Sequence, residues 1–139
     1  MRTLLLSSIT GSLTRIGWGR VIRFGIVGLS GTVVNLIVIH FLFGQLHWSP
    51  TIAAAIAVEV SVVNNFIWNN RWTFGHRTIS LVRFFRFNLA SLGGLVITTI
   101  IFTVLVQWFR LHYIVADIVA IGAATSWNFV ASIFWTWAA

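Results

Sequence analysis

Cysteine and lysine are absent, proline occurs once, and the acids number two, Glu59 and Asp117. Without cysteine there is no disulfide, no thiolate metal ligand and no cysteine nucleophile, and the redox compartment is left open. Charged residues make up 8% of the chain, against about 25% in an ordinary domain. A soluble chain would need close to that ordinary share merely to coat its surface, and this one is 58% apolar. Lipid as solvent removes the demand. The two acids are too few for hydrolysis by paired carboxylates standing across one bond. No GxxxxGK[ST] stretch and no HExxH stretch occurs, and His40, His47, His76 and His112 are scattered, so neither nucleotide hydrolysis nor a histidine metal site is expected. Gly28-Leu29-Ser30-Gly31 lacks the spacing of a nucleophile elbow. The chain reads as a non-enzyme without cofactor or metal.

What is present is arginine and long apolar runs. The net charge is +7 and the pI about 12, values that ordinarily suggest nucleic acid. Here the arginines sit at the ends of apolar runs instead of along one helix face. Orientation in a membrane accounts for them, and no nucleic-acid partner is expected. Residues 1–19 read as a cytoplasmic or interfacial lead-in. Their short apolar run is interrupted by Ser7, Ser8, Thr10, Gly11 and Ser12, and no small-x-small cleavage site follows a proper hydrophobic segment.

Four crossings follow. The first helix is expected over about Arg20 to Phe43, with small residues Gly25, Gly28 and Gly31 suited to close helix contact. Ser49-Pro50 reads as an N-cap with proline at the first helical position, opening a second helix to about Asn70. A loop over Asn70 to Ser80, a third helix from Leu81 to Trp108 and a fourth from Tyr113 to Thr136 complete the set. Arg2, Arg15, Arg20, Arg23, Arg71, Arg77, Arg83 and Arg86 fall on one side and Arg110 alone on the other, eight against one. By the positive-inside rule, both termini and the central loop are expected to be cytoplasmic.

The chain also repeats itself. At an offset of 63, Arg20, Arg23 and Phe24 fall on Arg83, Arg86 and Phe87, and Gly31 falls on Gly94. Asn65-Phe66 falls on Asn128-Phe129, and Trp72-Thr73 on Trp135-Thr136. The fold expected is an all-α integral membrane protein. Its four transmembrane helices form two tandem, parallel-oriented two-helix repeats, 20–76 and 83–139, within one membrane domain, 20–139. Two crossings per unit make both units start on the same side, related by an axis along the membrane normal.

The candidate site residues are few. Arg20, Arg23, Arg83 and Arg86 sit at the starts of the first and third helices, where helix N-termini offer spare N–H groups. Arg71 joins them from the end of the second. Planar guanidinium groups in that layer suit a phosphate; setting topology and touching anionic lipid is the plainer reading. Glu59, about eight residues into the second helix and roughly 12 Å deep, is expected to face the bundle interior or a wet cavity, as is Asp117. Glu59 reads either as a carboxyl bonded to Asn or Ser, or as a proton-coupling or sugar-hydroxyl ligand. Asn65, Asn69 and Asn128 either glue helices together or bind hydroxyls.

Arg23-Phe24 followed by Gly25, Gly28, Gly31 and Asn35 resembles the opening of GtrA-like membrane proteins. NNFIWNNRWTF, Asn64 to Phe74, resembles their hallmark end of helix two, and Arg86-Phe87, Asn128-Phe129 and Trp135-Thr136 extend the likeness over Arg20 to Trp137. The resemblance implies movement of a polyprenyl-phosphate-linked sugar across the bacterial inner membrane, or assistance to the glycosyltransferases that make such lipids. Some such proteins are fused behind a dolichol-phosphate-mannose-synthase-like catalytic domain. It implies a lipid phosphate gripped by the arginines, with the sugar meeting Asn65, Asn69 and Glu59. The chain departs from the family at SIFWTW, where a basic residue near Phe134 is usual, which favours the half containing Arg71. The expected function is flipping of an undecaprenyl-phosphate-linked monosaccharide for cell-surface polysaccharide glycosylation. The alternative is a non-transporting anchor that presents lipid phosphate to a membrane glycosyltransferase. Four helices make a thin wall around a headgroup, so a homo-oligomer is expected too.

Overall fold

The computed structural model describes Thr3 and residues 17–138. Among these residues four helices are long and apolar enough to cross a membrane: α1 (Trp18–Gln45), α2 (Pro50–Thr73), α3 (Leu81–Gln107) and α4 (Tyr113–Thr136). Lengths of 24 to 28 residues correspond to roughly 36–42 Å at 1.5 Å per residue, more than the hydrocarbon thickness of about 30 Å. No strand occurs among the described residues. Of the lead-in, residues 1, 2 and 4–16 lie outside the described residues, including Arg2 and Arg15. Trp18 and Gly19 already belong to α1.

The helix starts follow their caps. Ser49 Oγ accepts a hydrogen bond from the Ile52 N–H at 3.2 Å, with Pro50 at the first helical position, as the sequence predicts. His112 begins α4 in the same way, its Nδ1 accepting from the Ile114 N–H at 3.2 Å. Ser80 Oγ accepts from the Arg83 N–H at the start of α3. The corners before α2 and α4 each contain a non-glycine residue in the left-handed region, His47 at φ 56° and Arg110 at φ 52°, again 63 positions apart.

Helix ends are where the structure differs from a plain helical reading. α1, α2 and α4 finish in π-helical turns, His40–Gln45, Asn69–Thr73 and Ser132–Thr136. In the last two, the N–H groups of Phe74 and Trp137 reach back five residues to the carbonyls of Asn69 and Ser132, at 2.9 and 2.8 Å. The wider turn shifts the helical phase, so that Asn69, Asn70 and Thr73, and likewise Ser132 and Thr136, all lie buried. Apolar periodicity does not register such a turn: the sequence ends the second helix at about Asn70, whereas the π turn carries it to Thr73.

α1 packs along α2, and α3 along α4; the two hairpins meet along an α2–α3 seam and an α1–α4 seam, with no close backbone approach across either diagonal. Small residues make the close packing possible: Ala53 and Ala57 on α2, Ala116 and Ala120 on α4 are wholly buried, and Gly31 and Gly94 are buried on α1 and α3. Large side chains such as Leu29, Leu89 and Ile118 point outward, which suits lipid and would leave a soluble protein with an apolar surface throughout.

One end of the bundle is closed by aromatic rings. Phe24, Val62, Phe66, Phe87 and Trp137 form the buried cluster, with Phe74, Phe84 and Phe129 packed against it. Phe74 and Trp137 stack at 4.4 Å, Phe24 meets Phe129 edge-on at 5.3 Å, and Phe66 meets Phe87 at 5.9 Å. Each pair takes one ring from each hairpin. Asn70, fully buried, adds a polar tie. Its Nδ2 donates to the carbonyls of His76 and Thr78, and its Oδ1 accepts from Trp137 Nε1 at 3.0 Å.

Candidate functional site

The site begins with two asparagines held by two glycines. Asn65 lies so close to Gly31 that a methyl group there would overlap its Oδ1; a methyl at Gly94 would lie 2.8 Å from Asn128 Oδ1. The absent side chains let each amide sink against the neighbouring helix of its own hairpin. Between the hairpins this leaves a cavity of about 250 Å³. α1 supplies Phe24, Gly25, Gly28, Leu29 and Thr32 to it, and α2 supplies Asn65 and Asn69. Phe87 and Ser91 come from α3, Ile121, Thr125 and Asn128 from α4. Three amides and three hydroxyls thus face one space inside an otherwise apolar bundle. Asn128 Oδ1 is buried against Gly94 without a hydrogen-bond partner, so the contact with its own hairpin leaves that oxygen unsatisfied. Asn69 is held by its own turn, its Oδ1 accepting from Thr73 Oγ1 at 2.8 Å.

Next to this cavity runs the arginine layer. Arg23 and Arg86 immediately precede Phe24 and Phe87. Arg23 donates to the Trp72 carbonyl at 3.3 Å and lies 5.7 Å from that indole's centre. Arg86 donates to the Trp135 carbonyl at 3.1 Å and lies 5.9 Å from that ring. A guanidinium carries five N–H donors, so one bond to a carbonyl orients each group and leaves others for an anion. Arg20 sits over the Phe74 ring at 5.8 Å.

Not every candidate joins them. Arg83 turns to its own loop and donates to the Thr78 carbonyl. Arg71 lies at the same end but on the outer face of α1 and α2, in a groove of about 480 Å³ with Ile26, Trp68 and Trp72. The two acids also lie apart. Glu59, expected inside, is exposed at the α2–α3 seam, where Asn88 Nδ2 donates to its Oε1 at 2.7 Å. Helical phase is the reason: the buried face of α2 runs through Ala53, Ala57, Val62 and Phe66, and Glu59 stands about 200° around the helix from Ala57. The carboxyl bonded to an asparagine is therefore the reading that fits. Asp117, one residue past buried Ala116, lies in an outer groove of about 460 Å³ on α3 and α4, with Thr98, Thr99 and Tyr113. Sequence reasoning missed Thr32, Ser91 and Thr125, which carry no motif and become visible only when three different helices bring them to one cavity.

Comparison with known proteins converges on the same chain segment. The model of the GtrA/DPMS transmembrane domain matches residues 23–137. A protein of Pyrococcus furiosus named dolichol-phosphate mannosyltransferase is 37% identical over 121 residues, covering 86% of this chain and 34% of that protein. The uncharacterized membrane protein YngA of Bacillus subtilis is 27% identical over 117 residues, covering 81% of this chain and 76% of the relative. The chain thus spans about a third of the archaeal relative's length and three quarters of the bacterial one's. With four membrane-spanning helices and a family match from Arg23 to Trp137, the chain belongs to the GtrA/DPMS transmembrane domain family.

Proposed function

We propose that this protein flips a polyprenyl-phosphate-linked monosaccharide, undecaprenyl phosphate being the carrier, across the bacterial inner membrane. The delivered sugar serves cell-surface polysaccharide glycosylation. The observation that carries this reading is the amide-lined cavity within an apolar bundle, beside the paired arginines. A hydroxyl-rich ring crossing hydrocarbon unaided loses its hydrogen bonds to water; Asn65, Asn69 and Asn128 replace them. At about 250 Å³ the cavity lies below the roughly 300–1,000 Å³ of drug-sized pockets, which suits one sugar ring and excludes a long oligosaccharide. Arg20, Arg23 and Arg86 take the lipid phosphate, with Arg71 and Arg83 drawing anionic lipid to the same end.

In this reading the termini and the loop after α2 are cytoplasmic, following the arginine bias. The two hairpins, 20–76 and 83–139, are parallel units about an axis along the membrane normal. The protein performs no bond chemistry of its own. Direction comes from consumption of the lipid on the far side, since Glu59 stands outside the cavity and offers no proton path through it. A membrane glycosyltransferase supplies or consumes the lipid, and a second copy of the chain thickens the thin four-helix wall.

The test is reconstitution in vesicles with headgroup accessibility as the readout. Faster transbilayer movement of undecaprenyl-phosphate glucose or a similar monosaccharide lipid than in protein-free vesicles is expected. Unchanged movement across a panel of such lipids would sink the transport reading. One finding favours a second reading, an anchor that presents lipid phosphate to a glycosyltransferase: the archaeal relative carries a mannosyltransferase name, and only a third of its length corresponds to this chain. Stable capture of a glycosyltransferase, with no movement of lipid by the protein alone, is the outcome that selects the anchor.

A further inference from the structure

The two seams between the hairpins are built differently. At the α2–α3 seam, Glu59 and Asn88 meet in a 2.7 Å hydrogen bond. The positions 63 residues away are Gly122, matching Glu59, and Gly25, matching Asn88. Both are glycines, and a methyl group at either would meet nothing within 4 Å. One seam therefore carries a polar bridge, and the other carries two missing side chains on α1 and α4.

The cavity follows that asymmetry. Its lining from α2 and α3 is buried or half-buried, while the exposed part of its rim is Gly28, Leu29 and Thr32 on α1 with Ile121 and Thr125 on α4. A long apolar chain attached to a polar head must remain in hydrocarbon while the head is enclosed, because burying polar groups in lipid and apolar chain in a polar site are both costly. Such a lipid needs a slot in the wall that runs from cavity to bilayer.

We propose that the α1–α4 seam, at Gly25 and Gly122, is the lateral portal through which the isoprenoid chain leaves the cavity, and that the Glu59–Asn88 hydrogen bond latches the opposite seam shut. The occupant is a single-chain polyprenyl phosphate bearing one sugar, with the ring among the asparagines and the chain between α1 and α4. The proposal rests on the lipid-binding part of the function given above and assigns Glu59 a mechanical role in place of a proton-carrying one.

The test uses the full chain in phosphatidylethanolamine–phosphatidylglycerol vesicles with undecaprenyl-phosphate glucose carrying a diazirine on the isoprene unit nearest the phosphate. Photoadducts mapped by mass spectrometry are expected at Leu29, Thr32, Ile121 and Thr125, at least tenfold above Val60 and Leu89 beside the Glu59–Asn88 pair. Equal labelling of both seams, labelling chiefly at α2–α3, or no labelling overturns the assignment. Copying the latch to the open seam, with Gly25→Asn and Gly122→Glu together, is expected to cut α1–α4 labelling at least tenfold and to slow lipid movement in step. Unchanged labelling in that variant overturns the assignment as well. Failure of the functional reading looks different: labelling at α1–α4 with no transbilayer movement by the unmodified protein keeps the portal and removes transport. Movement with labelling at α2–α3 keeps transport and removes the portal.

Discussion

At Gly31 a single methyl group would displace the amide that shapes the cavity. Alanine there overlaps Asn65 Oδ1, whereas at Gly94 the gap to Asn128 Oδ1 would be 2.8 Å and at Gly122 there is open space. Gly31→Ala is expected to cost about 1–3 kcal/mol, the range for overpacking, with Gly94→Ala cheaper. Gly122→Ala should be neutral or gain about 0.5–1 kcal/mol from a stiffer helix. Denaturation in detergent micelles orders the three, and equal melting of Gly31→Ala and Gly122→Ala would contradict the packing. Asn70 is the other residue whose loss should be felt. Its removal frees the Trp137 indole N–H and two loop carbonyls, so Asn70→Ala is expected to cost about 1–3 kcal/mol. The checking measurement is the melting temperature, with faster proteolysis of the segment between α2 and α3. Asn65 stood out in the sequence because Asn128 echoes it. Asn70 did not, because position 133 is isoleucine and nothing in the sequence announces a cross-hairpin bond.

Within the hairpins, one pair of contacts has been exchanged for another. In the first, Asn64 donates to Ser30 Oγ at 3.1 Å. The positions 63 residues on are Trp127 and Gly93, and there the Trp127 indole donates to the Ala90 carbonyl at 3.0 Å while Gly93 makes room for the ring. A side chain at position 93 would stand 2.8 Å from Trp127 Nε1. Gly93→Ser and Trp127→Asn should each destabilise the protein alone, the first by a clash and the second by lost packing. Together they recreate the first hairpin's pair, so the double variant should be more stable than the sum of the singles predicts. The coupling is expected at about 1 kcal/mol, within the roughly 0.5–3 kcal/mol seen for touching residues; additive values from a double-mutant cycle would argue that the hairpins do not share this register. Helix ranges at this scale came from apolar run length and from Ser49-Pro50. The π turns did not, since the phase shift they introduce moves side chains inward without changing composition.

For the whole molecule, the first question is which way it faces. The absence of cysteine makes Arg77→Cys and Arg110→Cys single labelling sites with no background. A membrane-impermeant maleimide is expected to reach position 77 from the cytoplasmic side and position 110 from the other. Labelling of both from one side would remove the common arginine layer on which the proposed phosphate binding depends.

Composition alone determined the solvent, because so little charge cannot coat a soluble surface, and run length then determined how many times the chain crosses. The 63-residue echo marks Arg23, Arg86, Asn65 and Asn128 in the sequence itself. Tertiary packing decided which of these share a space. Glu59 and Asp117 are rare charges in apolar helices and read as interior groups, yet a phase difference of two residues, or of one, turns each away from the buried stripe. Arg71 is likewise turned outward by the turn that buries its neighbour Asn70. Sequence spacing gives a residue's angle around its own helix; only the packing of four helices says which angles point inward, and that is where the cavity was found.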